Sequence, residues 1–449
     1  MNITLTLITL SILVYLLFFQ IKIWKWRCFI SPGFYFAALW ILGVIGSKIF
    51  TDLDIVPLAF PHYLDELNVY VAFTGLCFLG LTKKGRKKIN TDTIFLRFIP
   101  SYNIFLYAGL FLVLVALYAF VSAGANFNMG ENRQAMHDTV ESQSVLVGYA
   151  QSISSIFSIC AGYAWGLIFV EKKKATLAQK MILLLPMLSG LIFSIYLGGR
   201  IDLIFSVVKY IIGFILAVPL LPAKKVRKKI LLLGILCMFC VSIFISAVAS
   251  QRQEHYGGDN EQFKLVTDGK LYMKVIYGPM EYMVSSYLGY QYRRDDFVDL
   301  NNLGYGSYTF NGFINWTLPF AGRIGLENFS IANQFDIYHP SQESYDFERI
   351  FFYTTHSSYI PIVQDFGTKG AFVLIFILTY LAHYFFIKIQ QRQMIRYSSS
   401  LLMFLLFLFY WIKSNFYGFL MIPITMTTLY GLLVLDLLNY LFKRKKIIK

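Results

Sequence analysis

Charge is what this chain has least of. Of its 449 residues only 14% are charged, against 57% hydrophobic, and a soluble domain carries about twice that charged fraction. The scarcity excludes an ordinary soluble enzyme. Catalytic signatures are missing as well. No P-loop is present, so the chain holds no ATP-driven pump, and neither H-E-x-x-H nor G-x-S-x-G occurs, which argues against a zinc protease and a serine hydrolase. Residues 250–369 contain no cysteine, so no disulfide is expected there, and no compact D-x-D cluster that would hold a divalent ion. The N-terminus lacks both a basic leader and a small-residue cleavage site, so it reads as a retained helix rather than a signal peptide.

What is present is apolar sequence in blocks near twenty residues, the length that crosses a hydrocarbon layer of about 30 Å. The blocks predict an all-α polytopic membrane protein with about eleven spans. They fall at 3–21, 28–50, 66–82, 101–122, 145–170, 180–197, 201–221, 230–249, 370–389, 400–415 and 418–442. Residues 1–249 then hold eight spans, 250–369 form one large loop containing short helices, and 370–449 hold three more. Residues 400–442 read either as a pair with a tight outer turn at Lys413–Gly418 or as one bent element, and Pro423 would kink the final helix. The 43 Phe and 31 Tyr suit both helix packing and the headgroup belt. The five cysteines lie in or beside apolar blocks; Cys237 and Cys240 have a spacing metals can use, but in lipid they read as small packing residues.

A formal charge of +15 would suggest nucleic acid in a soluble protein. Here the basic residues sit in short clusters between spans, which excludes that partner and sets orientation instead. With the N-terminus outside, the short inner segments hold 26 of the 40 Lys and Arg and the short outer ones only four, a strong positive-inside bias. The C-terminus is then expected on the cytoplasmic side and the large loop on the outer face.

The outward-facing cations differ in kind from the inner ones. Seven of the thirteen are arginine, whereas lysine dominates inside. Guanidinium forks suit phosphate oxygens and stay charged near lipid. Arg200 ends "YLGGR" at a tight outer junction, Arg252 follows the exit of the eighth span, and Arg293, Arg294, Arg323 and Arg349 lie in the loop. As a group they point to a polyanionic lipid head; singly, each also reads as an anchor at phospholipid phosphates, and Asp295 and Asp296 are positioned to neutralise some. Lys209, two turns into the seventh span, reads as a structural cation paired with Asp202 or reaching the interface. For proton transfer the best stretch is "YTTHSSYIPIVQDFGTKG", where His356 and Asp365 fall close together. Any one loop histidine is more often a packing residue.

These features together resemble the O-antigen polymerase family, oligosaccharide repeat-unit polymerases of the Wzy type. The resemblance rests on the eleven helices, the late outer loop, "GGR" (Gly198, Gly199, Arg200) and "DFGTKG" (Asp365, Gly367, Gly370). It implies glycosyl transfer between polyprenyl-diphosphate-linked oligosaccharides in the membrane lipid, with a chain-length regulator as a partner and no metal or cofactor. Arg200 and Arg252 would clamp the diphosphate, and His356 or Asp365 would orient or deprotonate the acceptor hydroxyl. Arg293, Arg294, Arg323, Arg349 and Tyr353 would bind substrate. Tyr305, Tyr308, Trp316, Tyr353 and Tyr359 could stack on sugars or belong to the interface belt. Two readings compete: a transporter or flippase of lipid-linked glycans, and a ligase-like glycosyltransferase.

Overall fold

Apolar runs opened by oxygen-bearing caps become the helices of this chain. In the computed structural model the described residues are 2–52, 63–85, 92, 94–96, 100–125, 132, 145–171, 175–196, 200–224, 226–232, 234, 243, 283–284, 286–291, 294–295, 297–306, 308–310, 357–391, 394–395 and 398–413. The Asn2 side chain caps α1 (Ile3–Trp24) by accepting the Leu5 N–H at 3.3 Å. A 3-10 turn (Lys25–Ile30) leads into α2 (Pro32–Asp52), and α3 (Leu64–Gly85) opens with Asp65 and Glu66 in its first turn. Next come α4 (Tyr102–Ser122), α5 (Val145–Glu171), the short α6 (Leu177–Ile182), α7 (Leu185–Tyr196) and α8 (Arg200–Ala217). Late in the chain lie α9 (Tyr359–Gln391) and α10 (Ser398–Lys413). Phe95–Leu96 (β1) and Met394–Ile395 (β2) form a two-residue parallel bridge.

Seven of these helices, with α6 and α7 taken together, are long and apolar enough to cross a membrane. The described part of the chain has the architecture of a multi-pass membrane protein. The expected spans at 230–249 and 418–442 lie almost wholly outside the described residues. Two expectations inside them need adjustment. The span at 180–197 is broken into α6 and α7, because Pro186 lacks an N–H and its ring clashes with the carbonyl four residues earlier. The helix expected at 370 starts at Tyr359 and is interrupted at Gly367, whose φ of 65° and ψ of 173° no helix contains.

Burial runs opposite to a soluble protein. Tyr15, Phe18, Tyr107, Leu114, Val121 and Val373 are exposed, while Gln20, Asn68, Thr74 and Thr82 are buried. Lipid is as apolar as leucine, so polar groups gather between helices and satisfy each other there. Gln20 donates to Thr82 and accepts from Ser31, each at 2.8 Å. The buried Arg27 guanidinium donates to the Gln390 side chain at 2.8 Å and to the Asp92 carbonyl.

The helices form two packed sets. One joins α1, α2, α3, α9 and α10 around buried rings of Trp24, Phe36, Trp40, Tyr70, Tyr359 and Trp411. Trp40 and Tyr359 lie 5.6 Å apart, Phe36 and Trp411 5.3 Å. The other joins α4, α5, α7 and α8, with α5 and α8 in closest approach. There Gly162 lies against the Tyr210 backbone and Gly213 against that of Ile159. Interhelical hydrogen bonds in a membrane contribute only about 0.6 kcal/mol each, so shape carries most of this packing.

Candidate functional site

The described part of the late loop, 283–310, seats on the first turn of α3 and the first two turns of α9. It makes two independent attachments. At the first, Gln291 accepts from the Tyr63 and Leu64 backbone N–H groups at 2.8 and 3.2 Å, occupying donors that a helix start leaves open. Three residues later Arg294 donates from Nε to Glu66 Oε2 at 3.0 Å and from Nη1 to Asp295 Oδ1 at 3.1 Å. Its guanidinium lies 4.3 Å above the Tyr63 ring, a cation–π contact. The Tyr63 hydroxyl donates to Asp295 Oδ2 at 2.7 Å, and the Tyr70 hydroxyl lies 3.1 Å from Glu66 Oε1.

Electrostatics follow from that crowding. Burial works against the Arg294 charge, but Glu66, Tyr290 and Tyr63 together more than offset this and raise the pKa above its ordinary value. Burial first and Glu66 second push the Tyr290 phenol well up, and burial with the Asp295 hydrogen bond raises Tyr63. The phenols stay neutral and the arginine charged. The cluster holds a fixed cation over the Tyr63 ring.

The second attachment is built on Gln364 and Asp365, both buried. Gln364 accepts from the Asp299 N–H at 2.6 Å and donates to the Asn302 carbonyl at 2.9 Å. The Asp365 carboxylate accepts from the Tyr308 N–H at 3.1 Å and the Thr309 N–H at 2.5 Å. Backbone carbonyls of 364 and 365 take the N–H groups of Gly304 and Tyr305, each at 3.1 Å. Burial beside Asp365 pushes the Tyr308 phenol up to about 12.

Of the residues singled out in the sequence, Arg294 and Asp365 are described in full, and they anchor the two ends of one segment. Arg200 opens α8, and its side chain is not described. Arg252, Arg293, Arg323, Arg349, Tyr353 and His356 lie outside the described residues, as does Trp316. Tyr359 belongs to the helix core: fully buried, it stacks on Tyr70 at 5.8 Å and shares a 2.8 Å hydrogen bond with Thr74. Lys209 is buried between α5 and α8 and donates to Ser155 at 2.6 Å. The side chain of Asp202, its expected partner, is not described.

Sequence reading missed Tyr63, Glu66, Tyr70, Tyr290, Gln291 and Gln364. A signal existed for one of them, since Asp65 and Glu66 form an acidic pair at the mouth of a span with no basic residue nearby in sequence. Comparison with known proteins finds no matching family model, no matching curated protein and no matching solved structure.

Proposed function

We propose that the protein is a glycosyltransferase that polymerises oligosaccharide repeat units carried on polyprenyl diphosphate, at the outer face of the cytoplasmic membrane. One observation carries the reading: an arginine- and aromatic-bearing segment is fixed, at Glu66 and at Gln364–Asp365, to the ends of two membrane helices. A rigid roof at a membrane rim suits a lipid-borne substrate whose head emerges there.

In the reaction an acceptor hydroxyl attacks the donor's anomeric carbon. The new C–O bond forms as the bond to the diphosphate oxygen breaks, and polyprenyl diphosphate leaves with the electron pair. Fixed cations aimed at the charge growing on that oxygen lower the barrier without an acid. Arg200 and Arg252 are assigned this clamp, with Arg293, Arg323 and Arg349 in support. Arg294 is engaged with Glu66 and Asp295, so it holds the roof in place. Both Asp365 oxygens accept backbone N–H groups, which leaves the hydroxyl proton to His356 and makes Asp365 a positioning residue.

Arg200→Ala or Arg252→Ala tests the proposal through the lipid-linked glycans that accumulate. Loss of long chains, by a factor on the order of 100 or more, with single repeat units retained on lipid at the outer face, is the expected result. Single units accumulating only on the inner face would replace the proposal with the transporter reading. That second reading draws on a polar seam among α5, α7 and α8: Ser154 with Ser189 at 2.8 Å, Ser194 with Ser206 at 3.4 Å, and Lys209 on Ser155. An intramembrane cation among hydroxyls is what a path through the bilayer uses.

A further inference from the structure

The turn Gly304–Tyr305–Gly306 carries an unusual choice of residue. Gly304 sits so close to the Asp365 carboxylate and the Tyr308 ring that a Cβ there would collide with both. Gly306 has φ of +100°, open to glycine alone at little cost. Between them Tyr305 adopts φ of +49°, a conformation that glycine or asparagine fills readily and a bulky side chain rarely does. A turn that only had to close would carry one of those small residues here. Instead its middle position bears a ring that is 83% exposed.

The backbone beneath that ring is over-determined. Six hydrogen bonds tie 299–309 to Gln364 and Asp365: two from the Gln364 side chain, two into the Asp365 carboxylate, and two to the carbonyls of those residues. Strain at a position locked by its surroundings is a mark of function. A tyrosine of the interface belt needs no such support, because headgroups accept a mobile ring equally well.

We infer that Tyr305 is a stacking platform for a sugar ring of the lipid-linked glycan, held out from the turn by Asp365 and Gln364. The inference deepens the polymerase reading and rests on it for the identity of the glycan. A flat, pre-oriented phenol face matches the C–H face of a pyranose and loses little rotational freedom on binding. Asp365 acts through the turn rather than on the substrate.

The test uses the full chain in nanodiscs and two probes. One is the lipid-linked repeat unit extracted from the host's membranes; the other is the same oligosaccharide freed from its lipid by mild acid. Tyr305→Ala should weaken both by roughly threefold to tenfold, and Tyr305→Trp should restore them. Tyr305→Gly should weaken binding equally while leaving the melting temperature unchanged or higher, since it relieves the turn. Wild-type protein that fails to bind the free oligosaccharide overturns the inference, as does a Tyr305→Ala chain that binds it with full affinity. Weakened binding of the lipid-linked probe alone points to the interface belt and overturns it too. Normal chain growth by a Tyr305→Ala protein of unchanged affinity removes the platform and leaves the polymerase reading intact. Tyr305-dependent oligosaccharide binding, without chain growth in wild-type membranes, does the reverse.

Discussion

The Arg294–Glu66 pair lies largely out of solvent, with side-chain exposures of 10% and 19%. Removing one partner from such a pair leaves a charge that has lost both water and counter-charge, whereas removing both leaves only surface to fill. Arg294→Met is therefore expected to lower stability by about 2–3 kcal/mol. Glu66→Met should do the same, and the double variant should recover much of the loss. Thermal melts of the three variants in one detergent give the coupling energy directly. Simple additivity would show that the two residues do not act as a pair. Neither residue announces its partner in the sequence, because they stand 228 positions apart. Arg294 drew attention through its charge alone, and Glu66 drew none.

Among the elements, legibility follows the uniformity of the apolar run. The first five spans were readable because twenty or so residues pass without interruption, and Ser101 stands where a cap for α4 belongs. The start of α9 was not. Ser357, Ser358, Pro361, Gln364 and Asp365 look like loop when read along the chain, yet in the fold the Gln364 and Asp365 side chains meet a segment that satisfies them. Gly367 reads in the sequence as part of a stretch leading into the next helix, not as a break inside a longer one. Nor did periodicity show the close contact of α5 with α8, which depends on Gly162 meeting Tyr210 and Gly213 meeting Ile159. Gly213→Ala drives a methyl into the Ile159 carbonyl. A loss of about 1–3 kcal/mol is expected, measured as a lower melting temperature. An unchanged melt would mean the two helices are farther apart than described.

For the whole molecule, α3 spans 22 residues, or about 33 Å of helix, enough to cross the hydrocarbon core. The roof sits at its N-terminal end, and Lys83 and Lys84 lie in its last turn, so the two must fall on opposite sides of the bilayer. The positive-inside bias predicts that the lysines face the cytoplasm. In a chain with its five native cysteines replaced by serine, Tyr305→Cys should react with an impermeant maleimide on intact cells. Lys84→Cys should react only after permeabilisation. The opposite pattern would turn the protein over and remove the outer-face chemistry. Of the eleven crossings expected from the apolar blocks, seven long apolar helices are described, and the expected spans near 240 and 430 lie outside the described residues.

The joining of α9 and α10 to α2 and α3 also sets a schedule for synthesis. Thr74 meets the Tyr359 hydroxyl across 285 positions, and Arg27 meets the Gln390 amide across 363. A ribosome delivers these latecomers only after most of the chain has already entered the bilayer. Until then the opening helices must wait in lipid with an arginine and a threonine whose eventual neighbours are still being translated. Early termination would therefore strand a fragment with polar groups turned toward acyl chains, a natural target for membrane proteases and a poor candidate for dissection into halves.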